Sequence, residues 1–357
     1  MEPRRILILN LAPNTMGDSL FLTPVITALK RTFPRATVMI TCSEPLKELF
    51  EGYPDLDRLL VIPGLFDIGK SLSKPRKLLT YIKLFWRTYR ILHSERPDVV
   101  LITQPNFWPN QLIPWFARVP RRIGYTYRKA RASWTLTDKV PYQDTFQKAD
   151  RHYTDTVLDL AAPLGASIEP ADANVLKIVA PEDKQRALRW LIQHHIKKPF
   201  ICLQPGSKWP RKTWPANHWR ELADKLNAKG YPVLLLGSPR EHDWLAPILN
   251  GATDVHSAVG FDVNLVAALL QKSALAVTND SGIAHLASAV GTKTVVIYGI
   301  SSSYVHSRVR GQAPSTPVFA TEKPPMKIYD KDTPETIAAM ASITVDRVLI
   351  AVGQALK

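Results

Sequence analysis

Residues 277–299, "VTNDSGIAHLASAVGTKTVVIYG", decide the fold. An apolar strand ends at Asn279 and Asp280. Ser281 and Gly282 open a helix that carries His285 and stops near Gly291, and "KTVVIYG" begins a second apolar strand. Two nearly all-apolar strands joined by a helix signal a parallel sheet with helices on both faces. Such sheets hold ligands beyond the carboxyl ends of their strands. The N–H groups at the helix start have no intrahelical partners. With the helix dipole they make an anion site, and Gly282 lets an anion approach the backbone closely. The competing reading is a helix capped by Asp280, with His285 as a packed side chain. Spacing alone leaves both open.

The same alternation runs outward along the chain. Strand-like runs are "RILILNL", "ATVMITC", "RLLVIP" and "DVVLIT" in the first half, then "FICLQPG", "PVLLLG", "ALAVTND" and "KTVVIYG". Helical stretches separate them, and the series starts twice, at Arg5 and at Phe200. A chain of 357 residues exceeds one hydrophobic core, so two domains of about 150–180 residues are expected. The Pro-, Ala- and acid-rich stretch 162–184 marks the boundary. The expected architecture is α/β: two Rossmann-like domains at 1–170 and 171–332, followed by a terminal helix over 333–357. That helix has Ile337, Met340, Ala341, Thr344 and Val348 at helical spacing.

Composition narrows the class. Hydrophobic content of 45% with 22% charged residues fits an ordinary globular protein. No apolar run approaches the roughly 20 residues of a membrane span. "MEPRRILILNLAPN" has a short apolar stretch and no small-residue cleavage site, so it reads as the first strand of a cytoplasmic protein. Cys42 and Cys202 both fall in strands, which implies no disulfide framework.

Net charge is +15, and it is concentrated. Between Lys70 and Arg131 there are 14 Lys or Arg against two acids, Glu95 and Asp98. Such a block suits nucleic acid, a phospholipid surface or a phosphorylated substrate. Within it, residues 74–92 read as a basic amphipathic helix, with Arg76, Lys83, Arg87 and Arg90 on one stripe and Leu79, Ile82, Trp86 and Tyr89 on another. Helices of this kind lie on anionic membranes. The alternative is a surface helix packed by its apolar face. No nucleic-acid motif accompanies the block.

Three further strand ends carry candidates. "QPGSKWPRKTWPANHW", 204–219, places Lys208, Arg211 and Lys212 in a rigid loop suited to a diphosphate. "LLLGSPREHDW", 234–244, sets Glu241 where it can accept from ribose hydroxyls or simply favour a helix start. "NLAPNTMGDSLFLTP", 10–24, puts Asp18 at a strand-to-helix junction as cap, metal ligand or proton acceptor. No G-x-G-x-x-G follows a strand and no G-x-x-x-x-G-K-[ST] occurs, against a nicotinamide enzyme or P-loop NTPase. "DLD" at 55–57 and "DKD" at 330–332 read as loops, and no metal is expected.

Taken in order, "MGDSLFLTP", the K-x-W-P of Lys212 to Pro215, and "NDSGIAHLASAVGTKTVVIYG" resemble glycosyltransferase family 9, the lipopolysaccharide-core heptosyltransferases. The resemblance implies a GT-B fold, with the acceptor in the first domain, the nucleotide sugar in the second, and the terminal helix packed back on the first. It implies inverting, metal-independent transfer of heptose from ADP-heptose, with no cofactor, by a monomer peripheral to the cytoplasmic face of the inner membrane. On it, Asp18 is the catalytic base and Lys212 meets the donor phosphates. Ser207 belongs to the phosphate loop. Asp280, Ser281, Gly282 and His285 form the donor motif, and Glu241 meets the ribose. The segment after Tyr298 lacks the family's usual proline-and-acid start and its cysteine-rich segment. Two other classes remain: a sugar-nucleotide epimerase, which needs no acceptor, and a sugar-binding protein, which needs no catalytic carboxylate.

Overall fold

A computed structural model describes residues 2–11, 15–62, 74–104, 109–126, 132–142, 151–166, 174–197, 199–250, 254–300, 304, 308–322 and 331–357, without the side chains of 74–78. Two compact units result. One combines Met1–Asp144 with Tyr153–Ala173, the other Thr145–His152 with Asn174–Lys357.

The first unit holds β1 (Arg5–Leu9), β2 (Thr37–Cys42), β3 (Arg58–Val61), β4 (Val99–Ile102), β5 (Arg121–Thr126) and β6 (Asp138–Pro141). The second holds β7 (Ile201–Gln204), β8 (Val233–Gly237), β9 (Val255–Val259), β10 (Leu275–Asn279), β11 (Thr294–Tyr298) and β12 (Ser315–Phe319). Spatial order is β3-β2-β1-β4-β5-β6 in one sheet and β12-β11-β10-β7-β8-β9 in the other. Every pairing is parallel. Read from its far edge, the second order repeats the first. Each sheet therefore has a switch point, between β1 and β4 and between β7 and β10, where open sheets bind ligands.

Burial explains which strands the sequence shows. Every residue of β4, β7, β10 and β11 is buried, and each reads as an apolar run. β6, β9 and β12 are edge strands, mostly half-buried or exposed. Their sequences, "DKVP", "VHSAV" and "STPVF", carry no such run. β5, "RRIGYT", lies one strand in from the edge and inside the stretch read as a basic patch. Two of its cations are structural: Arg121 pairs with Asp138 at 2.8 Å, and Arg122 Nε donates to the Thr135 carbonyl at 2.6 Å.

The helix Lys74–Glu95 is present and packs by an apolar face, through Leu84 and Leu92 with Phe85 and Tyr89 against them, so of the stripe read from the sequence Tyr89 alone joins the core. Leu84, Thr88, Leu92 and Glu95 are buried, while Leu79, Ile82 and Trp86 are exposed. Glu95 satisfies its buried carboxylate on Arg58 at 2.5 Å. Arg76 lies outside the described side chains.

The chain ends in two helices, Pro334–Ala341 and Val345–Ala355, bent by 56°. Thr344 breaks the expected single helix by accepting a hydrogen bond from Arg347 N as N-cap. Met340, Ile343, Val345, Val348 and Val352 join the core of the second unit beside Trp214 and Trp219. The buried side chains of this segment thus serve the core of the second unit.

Both cysteines are buried and reduced, and burial pushes each thiol up to about 12. The "DLD" carboxylates hold the first unit together. Asp55 accepts from Thr27 Oγ1 at 2.8 Å, and Asp57 binds Lys30 at 2.8 Å and Val38 N at 2.7 Å. In "DKD", Asp332 pairs with buried Arg211 at 3.1 Å.

Candidate active site

At the carboxyl ends of β7 and β10, charge and backbone donors converge. Ser281 is the N-cap of the helix Gly282–Ala289, yet its side chain makes no cap bond. Its hydroxyl donates instead to Gln204 Oε1 at 2.8 Å, and Gln204 Nε2 donates to the Gly206 carbonyl at 2.7 Å. Asp280, one residue before the N-cap, is committed elsewhere: its Oδ2 accepts the Lys212 ammonium at 2.6 Å. A lysine is thus fixed beside a helix start that its own N-cap side chain leaves uncapped, an arrangement suited to an anion.

The loop carrying Lys212 is anchored from both sides. Asn279 Oδ1 accepts from Trp214 N at 3.2 Å, and Asn279 Nδ2 donates to the Pro205 carbonyl at 2.5 Å. The indole of Trp214 is fully buried and donates to the Ile343 carbonyl at 2.8 Å. The three loop cations therefore differ. Arg211 is committed to Asp332, Lys212 to Asp280, and Lys208 lies 5.3 Å from the Trp209 ring centroid.

His285 is buried one turn into the helix. Burial first, and Lys212 in addition, push its imidazole down to about 4, with Asp280 opposing. It is neutral at pH 7 and presents a polar group without charge.

Ser207, Lys208 and Glu241 line a cleft of about 520 Å³ with Trp214, Trp244 and Ile337, a size and mixed lining that suit a small-molecule site. Glu241 Oε2 accepts from Ser238 N at 2.7 Å and Ser238 Oγ at 2.8 Å, closing a capping box. Its Oε1 points at Gly206, where an added Cβ would come within 1.8 Å of it. Glu241 is both a cap and part of the cleft wall. Gln204 and Trp244 were missed from sequence. Gln204 is the single polar residue in "ICLQ", and that was the available signal.

In the first unit, Asp18 is exposed in the first turn of the helix Met16–Leu20, whose N-cap is Thr15. Asp18 is therefore not the cap. Thr15 Oγ1 donates to Asp18 Oδ2 at 2.5 Å. Desolvation first, and the Asp18 carboxylate next, push the Tyr153 phenol well up, so it stays protonated. At the β1–β4 switch point, Gln104 Nε2 donates to Asn10 Oδ1 and Asn110 Nδ2 donates to Gln104 Oε1, each at 3.0 Å. Neither Tyr153 nor this amide chain was anticipated.

A sequence model of glycosyltransferase family 9 (heptosyltransferase) matches residues 85–335. The chain belongs to that family. The matched span includes every second-unit candidate and excludes Asp18. Among family 9 relatives, lipopolysaccharide heptosyltransferase 2 of Salmonella typhimurium is 26% identical over 306 residues, 83% of each chain. Two solved structures show the same fold. A family 9 glycosyl transferase from Veillonella parvula superposes with a TM-score of 0.81 at 20% identity, over 99% of this chain and 97% of that one. The E. coli ADP-heptose lipopolysaccharide heptosyltransferase II superposes with a TM-score of 0.73 at 23% identity, over 99% and 98%. The fold is accordingly of GT-B type, and the protein is a glycosyltransferase.

Proposed function

We propose that the protein moves a heptose, or a closely related sugar, from ADP-heptose to a lipopolysaccharide inner-core acceptor with inversion at the anomeric carbon. The observation that carries this reading is Lys212, fixed on Asp280 at 2.6 Å beside the uncapped start of the helix Gly282–Ala289. In the transfer, an acceptor hydroxyl oxygen bonds to the anomeric carbon as the carbon–phosphate oxygen bond breaks. ADP leaves with the bonding pair. Asp18 takes the hydroxyl proton. Lys212 and the helix N–H groups stabilise the charge developing on the diphosphate. Glu241 and the adjoining cleft hold the nucleoside, and Ser207 supports the phosphates. The acceptor is lipid-borne, so the enzyme works at the cytoplasmic face of the inner membrane, attached rather than spanning. Among the described residues no single helix is long and apolar enough to cross a bilayer.

The test is ADP release from ADP-heptose with and without an inner-core acceptor. Release that depends on acceptor, with an inverted linkage by NMR, supports the proposal. An altered sugar without any acceptor indicates an epimerase. Donor binding without turnover under either condition indicates a binding protein.

A further inference from the structure

A continuous aromatic ridge runs over the outside of the first unit, far in sequence from every candidate catalytic residue. It begins at Trp134, whose ring centroid lies 5.2 Å from Trp115. Trp115 meets Phe116 at 4.9 Å, Phe116 meets Phe85 at 5.6 Å, and Phe85 meets Trp86 at 5.9 Å. These are large apolar groups left in water: Trp134 is 61% exposed, Trp86 54% and Phe116 51%. Leu79 and Ile82 extend the ridge along the helix Lys74–Glu95, at 57% and 45%. Isolated exposed apolar residues are ordinary, but a contiguous patch marks an interaction surface.

Charge indicates the partner. At helical spacing, Lys83, Arg87 and Arg90 lie beside Leu79 and Trp86 on the same outward side, and all three cations are exposed. Arg96 and Arg118 are exposed at the ends of the two helices that bear the ridge. Both adopt left-handed backbone, with φ of 45° and 54°, a conformation that disfavours any side chain. The one acid in the helix Lys74–Glu95 is Glu95, buried on Arg58, and Asp98 beside it accepts from the Arg4 and Arg5 amides. Among the described residues no acid pairs with Lys83, Arg87 or Arg90, and aromatic rings flanked by such cations match the boundary between acyl chains and anionic headgroups.

We propose that this ridge docks the protein on an anionic phospholipid bilayer, with Trp86, Trp115, Phe116 and Trp134 entering the headgroup–acyl boundary and Lys83, Arg87 and Arg90 over the phosphates. The proposal deepens the membrane part of the proposed function and rests on it. Its test needs no sugar, so its failure would leave the transferase reading standing.

The measurement is flotation with vesicles of phosphatidylglycerol and phosphatidylethanolamine, against vesicles of phosphatidylcholine alone, in low and high salt. Wild-type protein should float with the anionic vesicles only. Lipids brominated on the acyl chain should quench its tryptophan fluorescence, a readout that requires no variant. The Trp86→Ser, Trp115→Ser, Trp134→Ser variant should lose at least about tenfold in vesicle affinity and most of the quenching, with its thermal melt retained. Replacing Lys83, Arg87 and Arg90 by Gln should cost about fivefold per cation and weaken the salt dependence. Three results would each overturn the proposal: no binding of wild type at low salt, equal binding by both variants, or dimerisation that the aromatic variant removes in the absence of vesicle binding.

Discussion

The two sheets share one strand order and place opposite chemistries at the same topological point. At the β7–β10 switch point there is a lysine–carboxylate pair beside a helix start, with a half-enclosed cleft next to it. At the β1–β4 switch point there are neutral amides, Asn10, Gln104 and Asn110, and one exposed carboxylate, Asp18, on the following helix. The common backbone explains where each site lies. On the proposed function, the side chains suit one to a diphosphate and the other to a hydroxyl-bearing partner and its proton. Topology locates a site, and its chemistry comes from a handful of strand-end residues.

The comparison breaks most severely where the second site meets its own core. Trp214 is fully buried and joins the Lys212 loop to the terminal helices. Trp214→Ala should cost about 3–5 kcal/mol. Hydrogen exchange should accelerate at β7 and β10 and hold steady at β1 and β4, whereas equal acceleration in both sheets would show that the units do not unfold separately. Next in size is Lys212→Ala. Losing a preorganised charge at the leaving group should lower kcat by roughly 100- to 1000-fold and weaken ADP binding by calorimetry. Unchanged ADP affinity would remove the lysine from the diphosphate site.

Between pH 7 and 4, two buried histidines make the second unit sensitive to acid. Burial holds His285 down at about 4 and His152 down at about 3, below the ordinary 6.5. His152 donates from Nε2 to the Arg308 carbonyl at 2.9 Å. Because each folded value lies below the unfolded one, the unfolded chain gains protons first on acidification. Stability is complete above about pH 6.5 and falls as pH drops toward 4, by about 3 kcal/mol for each histidine. Urea midpoints between pH 7 and 4 measure this, and His152→Gln should flatten the slope. A slope unaltered in that variant would contradict the assignment.

How much of this was legible follows from burial. β1, β4, β7, β10 and β11 announce themselves because a doubly covered strand has little room for polar residues. β6, β9 and β12 did not, since an edge strand tolerates Asp138, His256 or Pro317. Asp280, Ser281, Lys212 and Glu241 were legible as residues that follow apolar runs. Their pairing was not: Lys212 and Asp280 are 68 positions apart, and only the parallel register of β7 on β10 brings them together. The helix 74–95 was legible as amphipathic but not in its orientation. Leu84 and Leu92 differ little in type from Leu79 and Ile82, and the packing partners beneath Leu84 come from distant strands.

The division of labour between the two sites is tested most directly by Asp18→Asn, measured for both turnover and ADP-heptose affinity. The amide keeps the size of the side chain and a partner for Thr15, and loses the basic oxygen. Turnover should fall about 100-fold or more, while donor affinity, which the proposed function assigns to the second unit, should stay within about twofold of wild type. Wild-type turnover would contradict Asp18 as the base, and a collapse of donor affinity would contradict the separation of the two sites.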